Sequence, residues 1–303
     1  MINRLIAAVL PCMPKKLVWL FSKKYIAGET IEDAIRVSKE LNARGMKVTI
    51  DLLGEFITNL EQAGENRVAY MQIIERTQAE KIQGNYSLKP TSFGLLLDPQ
   101  VCYQNIREIV ARAAACNSFV RIDMEDSPCT DLEINLLRRL HAEFPGHIGL
   151  VVQAYLKRTL TDLQGLMDLH SPEIPLNYRL CKGIYVEPET IAWQNRQEIN
   201  RHFLDDLEFM LNHGVYAAIA THDTALVDGA RQLIEKYRVP ASRYEFQMLH
   251  GVTPDLRQSI VDQGHPMRVY VPFGKEWFGY STRRLKGNPA MATHIIKALF
   301  VRG

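Results

Sequence analysis

The sequence lacks the cysteine and histidine spacings that mark metal sites and disulfide frameworks. Its five cysteines are dispersed without a C-x-x-C pair, and no two of its nine histidines are separated by three residues. An odd, unspaced cysteine count excludes a simple zinc site or disulfide scaffold and favours a reducing compartment. The motifs G-x-G-x-x-G and G-x-x-x-x-G-K-[ST] are also absent, so a nucleotide would not be bound in the Rossmann or P-loop manner.

This chain of 303 residues has almost no net charge and no long apolar run. Lys and Arg number 36 against 34 Asp and Glu. This balance differs from that of dedicated nucleic-acid-binding proteins, which usually carry a basic face, so we expect no nucleic-acid partner. No apolar run reaches the roughly 18 residues that span a bilayer. With 47% hydrophobic and 23% charged residues, the chain has the composition of a globular protein with a large core.

The N-terminal segment is basic and contains an apolar cluster. Its first acidic residue is Glu29, and lysines flank the cluster Leu17, Trp19, Leu20 and Phe21. Prolines and lysines interrupt the apolar stretch that a secretory signal would need. Three alternatives stay open: two ordinary helices packed on the body, an amphipathic surface that contacts anionic lipid, and a mitochondrial transit peptide.

Eight short apolar runs rich in β-branched residues follow this segment. They are KVTIDLLGE (47–55), YSLKPTSFG (86–94), SFVRIDMED (118–126), HIGLVVQAY (147–155), NYRLCKGIY (177–185), YAAIATHD (216–223), YEFQMLHGV (244–252) and MRVYVPFGK (267–275). Their starts are 23 to 39 residues apart, roughly the length of a strand, a crossover helix and turns. Helical patterns separate the runs, as at 129–144 and at 190–214, where Gly214 is suited to end a helix. Eight βα units in series predict an α/β fold, a (β/α)8 TIM-type barrel with N-terminal helices: a helical segment at 1–45 and a barrel domain at 46–303.

The active site of such a barrel lies at the carboxyl ends of its strands. Many polar residues fall there: Glu55, Lys89, Asp123, Glu125, Asp126, Gln153, Tyr155, Arg179, Lys182, Tyr185, His222, Asp223, His250 and Tyr270. Because polar groups are costly to bury unless they are paired or used, this convergence favours a functional site over a purely structural core.

Three groups of residues have two interpretations each. Lys89 and Lys182 are either Schiff-base lysines with a lowered pKa or lysines paired with Asp123 or a ligand phosphate. Arg283 and Arg284 either clamp a carboxylate or form a solvated basic face. His222 is either a base or a hydrogen-bonded positioning group.

Six ordered motifs between about Ala27 and Arg284 resemble the proline dehydrogenase family, and together they are specific. They are RIDMEDS (121–127), VVQAYLKRT (151–159), RLCKGIY (179–185), IATHD (219–223), YEFQMLHG (244–251) and YVPFGKEWFGYSTRR (270–284). The resemblance, in particular to the monofunctional bacterial type, implies a distorted (β/α)8 barrel with FAD across the carboxyl ends of the strands. It further implies oxidation of L-proline to Δ1-pyrroline-5-carboxylate, the first step of proline catabolism to glutamate, with electrons passed to a membrane quinone.

The resemblance also implies roles for individual residues. Asp123 and Arg179 are expected to be catalytic, with Asp123 beside the substrate amine and Arg179 near the reactive flavin nitrogen. The substrate-binding residues would be Lys89, Arg283, Arg284, Tyr270, Tyr185, Leu249 and Glu55. Within this set, the two arginines hold the proline carboxylate, and Glu55 pairs with Arg283 as a gate. The FAD-contacting residues would be Met124, Gln153, Arg179, Lys182, Gly183, Ile184, Thr221 and His222.

Departures from the family pattern leave the charged positions intact. They occur at Pro90, Cys181, Ile184, Phe273, Phe278 and Gly279. A bulky Tyr270 favours unsubstituted proline over hydroxyproline, so a hydroxyproline oxidase is the less favoured enzyme. A Schiff-base lyase that uses Lys182 or Lys89 without flavin, and a non-catalytic membrane-associated scaffold, are the alternatives from other classes. For the preferred interpretation we expect a cytoplasmic protein, bound peripherally to the inner face of the cell membrane.

Overall fold

The computed structural model describes residues 18–19 and 22–281, and it confirms the predicted barrel. Eight parallel strands pair in chain order, and β8 closes the barrel against β1. The strands are β1 (Lys47–Leu52), β2 (Gly84–Leu88), β3 (Val120–Ile122), β4 (Ile148–Gln153), β5 (Asn177–Cys181), β6 (Tyr216–Ala220), β7 (Tyr244–Leu249) and β8 (Met267–Phe273). Each strand lies within one of the predicted runs, except that β2 begins two residues earlier, and the ends of the runs form the loops of the barrel mouth.

Helices precede the first strand and connect the others. They are α1 (Ile31–Asn42), α2 (Leu60–Ala79), α3 (Pro99–Ala115), α4 (Thr130–Glu143), α5 (Thr159–Gly165), α6 (Arg196–Asn212), α7 (Thr224–Lys236) and α8 (Pro254–Asp262). Short 3-10 helices cover Pro90–Phe93 and Met167–Leu169, and residues 277–281 are also helical. Within the described residues, no helix is both long and apolar enough to cross a membrane.

Strand alternation separates an apolar outer face from a polar interior. On β7, Tyr244, Phe246 and Met248 belong to the buried hydrophobic core, whereas the intervening Glu245 and Gln247 bond to polar groups inside the barrel. Successive side chains of a strand point to opposite faces, so this pattern repeats around the sheet. The main hydrophobic core therefore lies between the sheet and the helices, and the barrel interior contains buried polar and charged residues of the strands.

The barrel is distorted at its closure. Helix α1 packs against β1 and β8, the outer position that the helix after β8 takes in a regular barrel. Within helix 277–281, Tyr280 lines the cavity at the carboxyl mouth instead. At the start of that helix, the ring of Trp277 lies 4.8 Å from the ring of Trp19, and its Nε1 donates to Glu29 at 2.8 Å. The N-terminal segment thus contacts the helix that follows the last strand.

The predicted helices agree with the structure except at one end. The pattern at 129–144 corresponds to α4, but the helix predicted at 190–214 begins only at Arg196. The residues before Arg196 do not continue the helix, because Ala192 forms an antiparallel bridge with Leu156. The side chain of Asn195 then caps the helix by accepting from two backbone N–H groups. Its end is as predicted, with Gly214 in the left-handed conformation at φ 73°. The boundary between segments 1–45 and 46–303 stays a prediction.

Candidate active site

A cavity of about 290 Å³ opens at the carboxyl mouth of the barrel. Its walls come from the ends of strands β3 to β8, the loop after β5, and helix 277–281. The residues of this lining that the sequence singled out are Asp123, Met124, Gln153, Arg179, Lys182, Gly183, Ile184, Tyr185, His222, Leu249 and Tyr270. Parallel strands bring these distant positions together because all their carboxyl ends lie at one edge of the barrel.

Asp123 lies at the centre of a buried charge cluster beside the cavity. Its Oδ1 accepts from Arg179 Nη1 at 2.7 Å and from Ser87 Oγ at 2.5 Å. Its Oδ2 accepts from the Tyr270 hydroxyl at 3.0 Å and lies 3.5 Å from Lys89 Nζ. Burial raises the pKa of Asp123, but the cations of Arg179 and Lys89 outweigh it and bring the pKa below its ordinary value. Asp123 is therefore a fixed anion at the mouth.

Lys89 is held as a cation by a residue that the sequence analysis did not select. Its Nζ donates to Asp51 Oδ1 at 2.9 Å and to the Tyr270 hydroxyl at 3.3 Å. Burial lowers the pKa of Lys89, but Asp51, Tyr270 and Asp123 together raise it well above its ordinary value. This favours the ion-paired interpretation of Lys89, because a Schiff-base lysine needs a free amine.

A series of hydrogen-bonded polar groups inside the barrel fixes the orientation of Arg179. Its Nε donates to Gln247 Oε1 at 2.7 Å, and Gln247 Nε2 donates to Glu245 Oε1, also at 2.7 Å. Glu245 in turn pairs with Arg268 Nε at 2.7 Å. The Arg179 guanidinium carbon lies 5.0 Å from the centre of the Tyr270 ring. Among the described residues, the buried Nη2 of Arg179 has no hydrogen-bond partner, so the site offers one unused donor of a fixed cation.

A second ion pair lies on the β5 and β6 side of the cavity. Lys182 Nζ lies 2.7 Å from Asp223 Oδ2, which also accepts from Arg196 at 2.8 Å. Burial raises the pKa of Asp223, but the hydrogen bonds from Arg196 and Lys182 outweigh it and place the pKa well below its ordinary value. Lys182 is therefore ion-paired, but its partner is Asp223 and not the predicted Asp123.

Gly183 and His222 have structural constraints of their own. Gly183 has φ 109°, and a Cβ there would lie 2.2 Å from the Tyr155 ring, so only glycine fits. His222 Nε2 accepts the N–H of Leu249 at 3.0 Å, which matches the positioning alternative for this histidine. Thr221 is buried outside the cavity lining and accepts from the N–H of Asp223 at 3.1 Å.

The predicted gate is only partly within the described residues. Glu55 lines a neighbouring cavity of about 500 Å³, which shares Tyr280 with the first. Arg283 and Arg284 lie outside the described residues. The carboxylate clamp and the pairing of Glu55 with Arg283 therefore stay predictions.

Sequence reasoning missed Asp51, Ser87 and Gln247, which complete the cluster. Asp51 pairs with Lys89, Ser87 bonds to Asp123, and Gln247 orients Arg179. All three lie inside strands, whereas the search was directed at strand ends. The signal was present, since a polar residue inside an otherwise apolar run marks the face of the strand that points into the barrel.

Known proteins are similar to this chain over most of its length. The family model described as "Proline dehydrogenase" matches residues 34–296. The chain is 35% identical over 280 residues to "Proline dehydrogenase 1" of Bacillus subtilis subsp. natto, covering 92% of this chain and 91% of that protein. It is 31% identical over 291 residues to "Proline dehydrogenase" of Deinococcus radiodurans, covering 95% of this chain and 92% of that protein.

The fold is similar to that of solved structures. Proline utilization A (PutA) from Bdellovibrio bacteriovorus, solved after inactivation by N-propargylglycine, matches with a TM-score of 0.84 and 24% identity. The match covers 92% of this chain and 36% of that one, so this chain corresponds to about a third of the larger protein. At this identity the likeness shows the barrel fold.

Proposed function

Because the chain belongs to the proline dehydrogenase family, we propose that it oxidises L-proline to Δ1-pyrroline-5-carboxylate with FAD as cofactor. Membership supports proline oxidation, the first step of proline catabolism. The observation that carries the proposal is the buried cluster of Asp123, Lys89, Arg179 and Tyr270 at the mouth of a polar barrel. Charges buried at this cost are expected where a substrate or cofactor uses them.

The residues of the cavity fit a flavin. The buried Arg179 has a donor atom without a partner among the described residues, and Gly183 in the cavity lining keeps a positive φ that lets the backbone pass close to the Tyr155 ring. The residues proposed to hold FAD are Met124, Gln153, Arg179, Lys182, Gly183, Ile184, Thr221 and His222. Bound FAD would supply a hydride acceptor for the carbon next to the proline nitrogen. The fixed positive charge of Arg179 would stabilise negative charge that develops in the cavity.

A second group of residues in and beside the cavity is proposed to bind proline. Lys89, Arg283 and Arg284 would attract the carboxylate, and the anion of Asp123 would attract the substrate amine. Tyr270, Tyr185 and Leu249 would pack on the ring and fix its orientation. Among the described residues of this group, cation and anion are adjacent, since Lys89 Nζ lies 3.5 Å from Asp123 Oδ2. An amino acid carries the same two charges, so the pair is complementary to a zwitterion.

The final acceptor is proposed to be a membrane quinone. The support is the family resemblance together with the basic N-terminal segment, in which the described residues Lys23 and Lys24 are exposed. Such a segment would attract an anionic lipid surface. We therefore propose a cytoplasmic protein with peripheral contact to the inner face of the cell membrane.

The visible spectrum of the purified protein, recorded anaerobically before and after addition of L-proline, tests this function. We expect a flavin spectrum that is bleached by L-proline and little changed by hydroxyproline. A flavin spectrum indifferent to proline would refute the substrate and leave the cofactor standing.

The same preparation distinguishes the lyase alternative. Borohydride should trap no adduct between substrate and protein, because Lys89 and Lys182 are held in ion pairs. Absence of flavin even after FAD is added, together with a trapped adduct on either lysine, would replace the oxidase with a Schiff-base lyase.

A further inference from the structure

Glu125 connects two sides of the barrel mouth, one through its carboxylate and the other through its backbone. Glu125 is fully buried two residues beyond Asp123. Its Oε2 accepts from the N–H of Thr91 at 2.8 Å, and its Oε1 accepts from the Thr91 hydroxyl at 2.6 Å. Its own backbone is also fixed, because Gln153 Nε2 donates to its carbonyl at 2.9 Å and its N–H donates to Glu133 Oε1 at 3.0 Å. Glu125 thus joins the proposed cofactor side to the segment after β2.

Thr91 passes this connection on to the loop that carries Glu55. Thr91 Oγ1 accepts from the N–H of Phe56 at 2.9 Å, and its carbonyl accepts from the N–H of Ile57 at 3.3 Å. On the other side of Glu55, the Ser92 hydroxyl donates to the carbonyl of Gly54 at 2.6 Å. Loop 54–57 is therefore attached on both sides of Glu55.

The backbone of this loop depends on its attachments. Phe56 has φ 50°, a left-handed conformation that is uncommon for a bulky residue. A backbone of this kind persists only where neighbouring groups hold it. The attachments to Thr91 and Ser92 are the contacts that meet this requirement.

We propose that Glu125 is a positioning residue that acts through Thr91 to hold loop 54–57 in place for substrate binding. The proposal rests on the proposed function, since it takes Glu55 as part of the substrate side. The Thr91 hydroxyl has one hydrogen, which it donates to Glu125 while it accepts from Phe56. An amide or a protonated acid at position 125 would direct a hydrogen at either the hydroxyl or the N–H of Thr91, so one of these two donors would lose its acceptor, which is costly when buried.

The charge state of Glu125 makes the arrangement sensitive to pH. Burial raises the pKa of Glu125 to about 7, against the hydrogen bonds from Thr91 and the charge of Lys89. The titratable groups that face it are Glu133 on α4, Cys129 just before α4, Cys102 on α3, Glu55, Lys89 and Tyr185. The ionised form makes both bonds to Thr91, so we expect the KM for proline to rise as the pH falls through about 7.

Steady-state kinetics of the FAD-loaded protein with proline test the proposal. We expect Thr91→Val and Glu125→Gln to raise KM about tenfold at pH 8 with a smaller change in kcat per bound flavin, because charged hydrogen bonds are lost. Thr91→Ser keeps the hydroxyl and should restore KM to within about twofold. Asp206→Asn, which alters a buried carboxylate on α6, is the matched control and should leave KM unchanged.

A second measurement does not depend on turnover. Amide hydrogen exchange at residues 54–57 should be about tenfold faster in Thr91→Val than in Thr91→Ser. Equal KM and equal exchange in these two variants would overturn the proposal. If the wild-type protein fails to oxidise proline, the proposed function is wrong, whereas the exchange comparison still decides whether Thr91 holds the loop. In Glu125→Gln, a KM that still changes with pH through 7 would assign the titration to another group.

Discussion

Asp123→Asn and Asp206→Asn make the same chemical change in two buried carboxylates, and we expect opposite effects on stability. Asp123 is paired with Arg179 and lies 3.5 Å from Lys89. Asp206, on α6 and 3% exposed, has no ion-pair partner among the described residues. Burial and, to a smaller extent, Asp205 raise the pKa of Asp206 to about 8. The environment of the carboxylate, rather than its residue type, therefore decides whether replacement by Asn lowers or raises the stability of the fold.

The magnitudes follow from these environments. Removal of one partner from a buried ion pair typically costs about 3–5 kcal/mol. We expect about 3 kcal/mol for Asp123→Asn, because Lys89 keeps Asp51 and Arg179 keeps Gln247. For Asp206, wild-type stability falls by on the order of 1.4 kcal/mol per pH unit between about pH 4 and 8, since the folded state holds the proton more tightly. Asp206→Asn removes this loss and should be more stable than wild type at pH 8.

The pH dependence separates the two cases. The pKa of Asp123 is lowered in the folded protein, so its contribution is present above the unfolded pKa and is lost as the pH falls through the folded one. The loss of unfolding free energy caused by Asp123→Asn should therefore become smaller below about pH 4. The gain of unfolding free energy from Asp206→Asn should increase from about pH 4 to about pH 8.

Urea unfolding of both variants and the wild type, followed by circular dichroism between about pH 2 and pH 8, measures these differences. Runs with and without added FAD separate lost cofactor binding from lost folding stability. The reasoning is refuted if both substitutions shift the unfolding free energy in the same direction, or if the difference for Asp206→Asn does not vary with pH.

Two further predictions concern the ends of the chain. Arg284→Ala should weaken proline binding about 100-fold in a flavin titration while FAD stays bound, because a paired guanidinium bond to a carboxylate is lost; unchanged affinity would exclude the clamp. Deletion of residues 1–25 should reduce sedimentation with anionic vesicles, but it also removes Trp19 from its contact with Trp277. Replacement of Lys15, Lys16, Lys23 and Lys24 by Glu keeps that contact and should abolish the preference for anionic over neutral vesicles; an undiminished preference would place the membrane contact elsewhere.

The strands and the location of the site could be predicted from the sequence because both depend on short-range patterns. Apolar runs at regular spacing indicate strands, and a parallel barrel brings all their carboxyl ends to one edge. The start of α6 could not be predicted, because residues before Arg196 are held by the long-range bridge between Ala192 and Leu156. The pairing of Lys89 with Asp51 was missed for a similar reason, since it depends on the register between β1 and β2.

The polar interior of the barrel is best explained by orientation rather than by stability. Replacement of buried ion pairs by apolar residues is often neutral or stabilising, so a series such as Arg179, Gln247, Glu245 and Arg268 needs another reason. Each link fixes the next: Arg268 anchors Glu245, Glu245 orients the amide of Gln247, and the amide oxygen of Gln247 receives Arg179 Nε. Asp123 and Ser87 receive Nη1 of the same guanidinium. With two of its nitrogens bound, the guanidinium has one defined plane, so its Nη2 is presented in one fixed direction. The stabilisation of developing charge proposed for Arg179 needs this preorganisation, because a donor that must rotate during the reaction loses part of its electrostatic advantage.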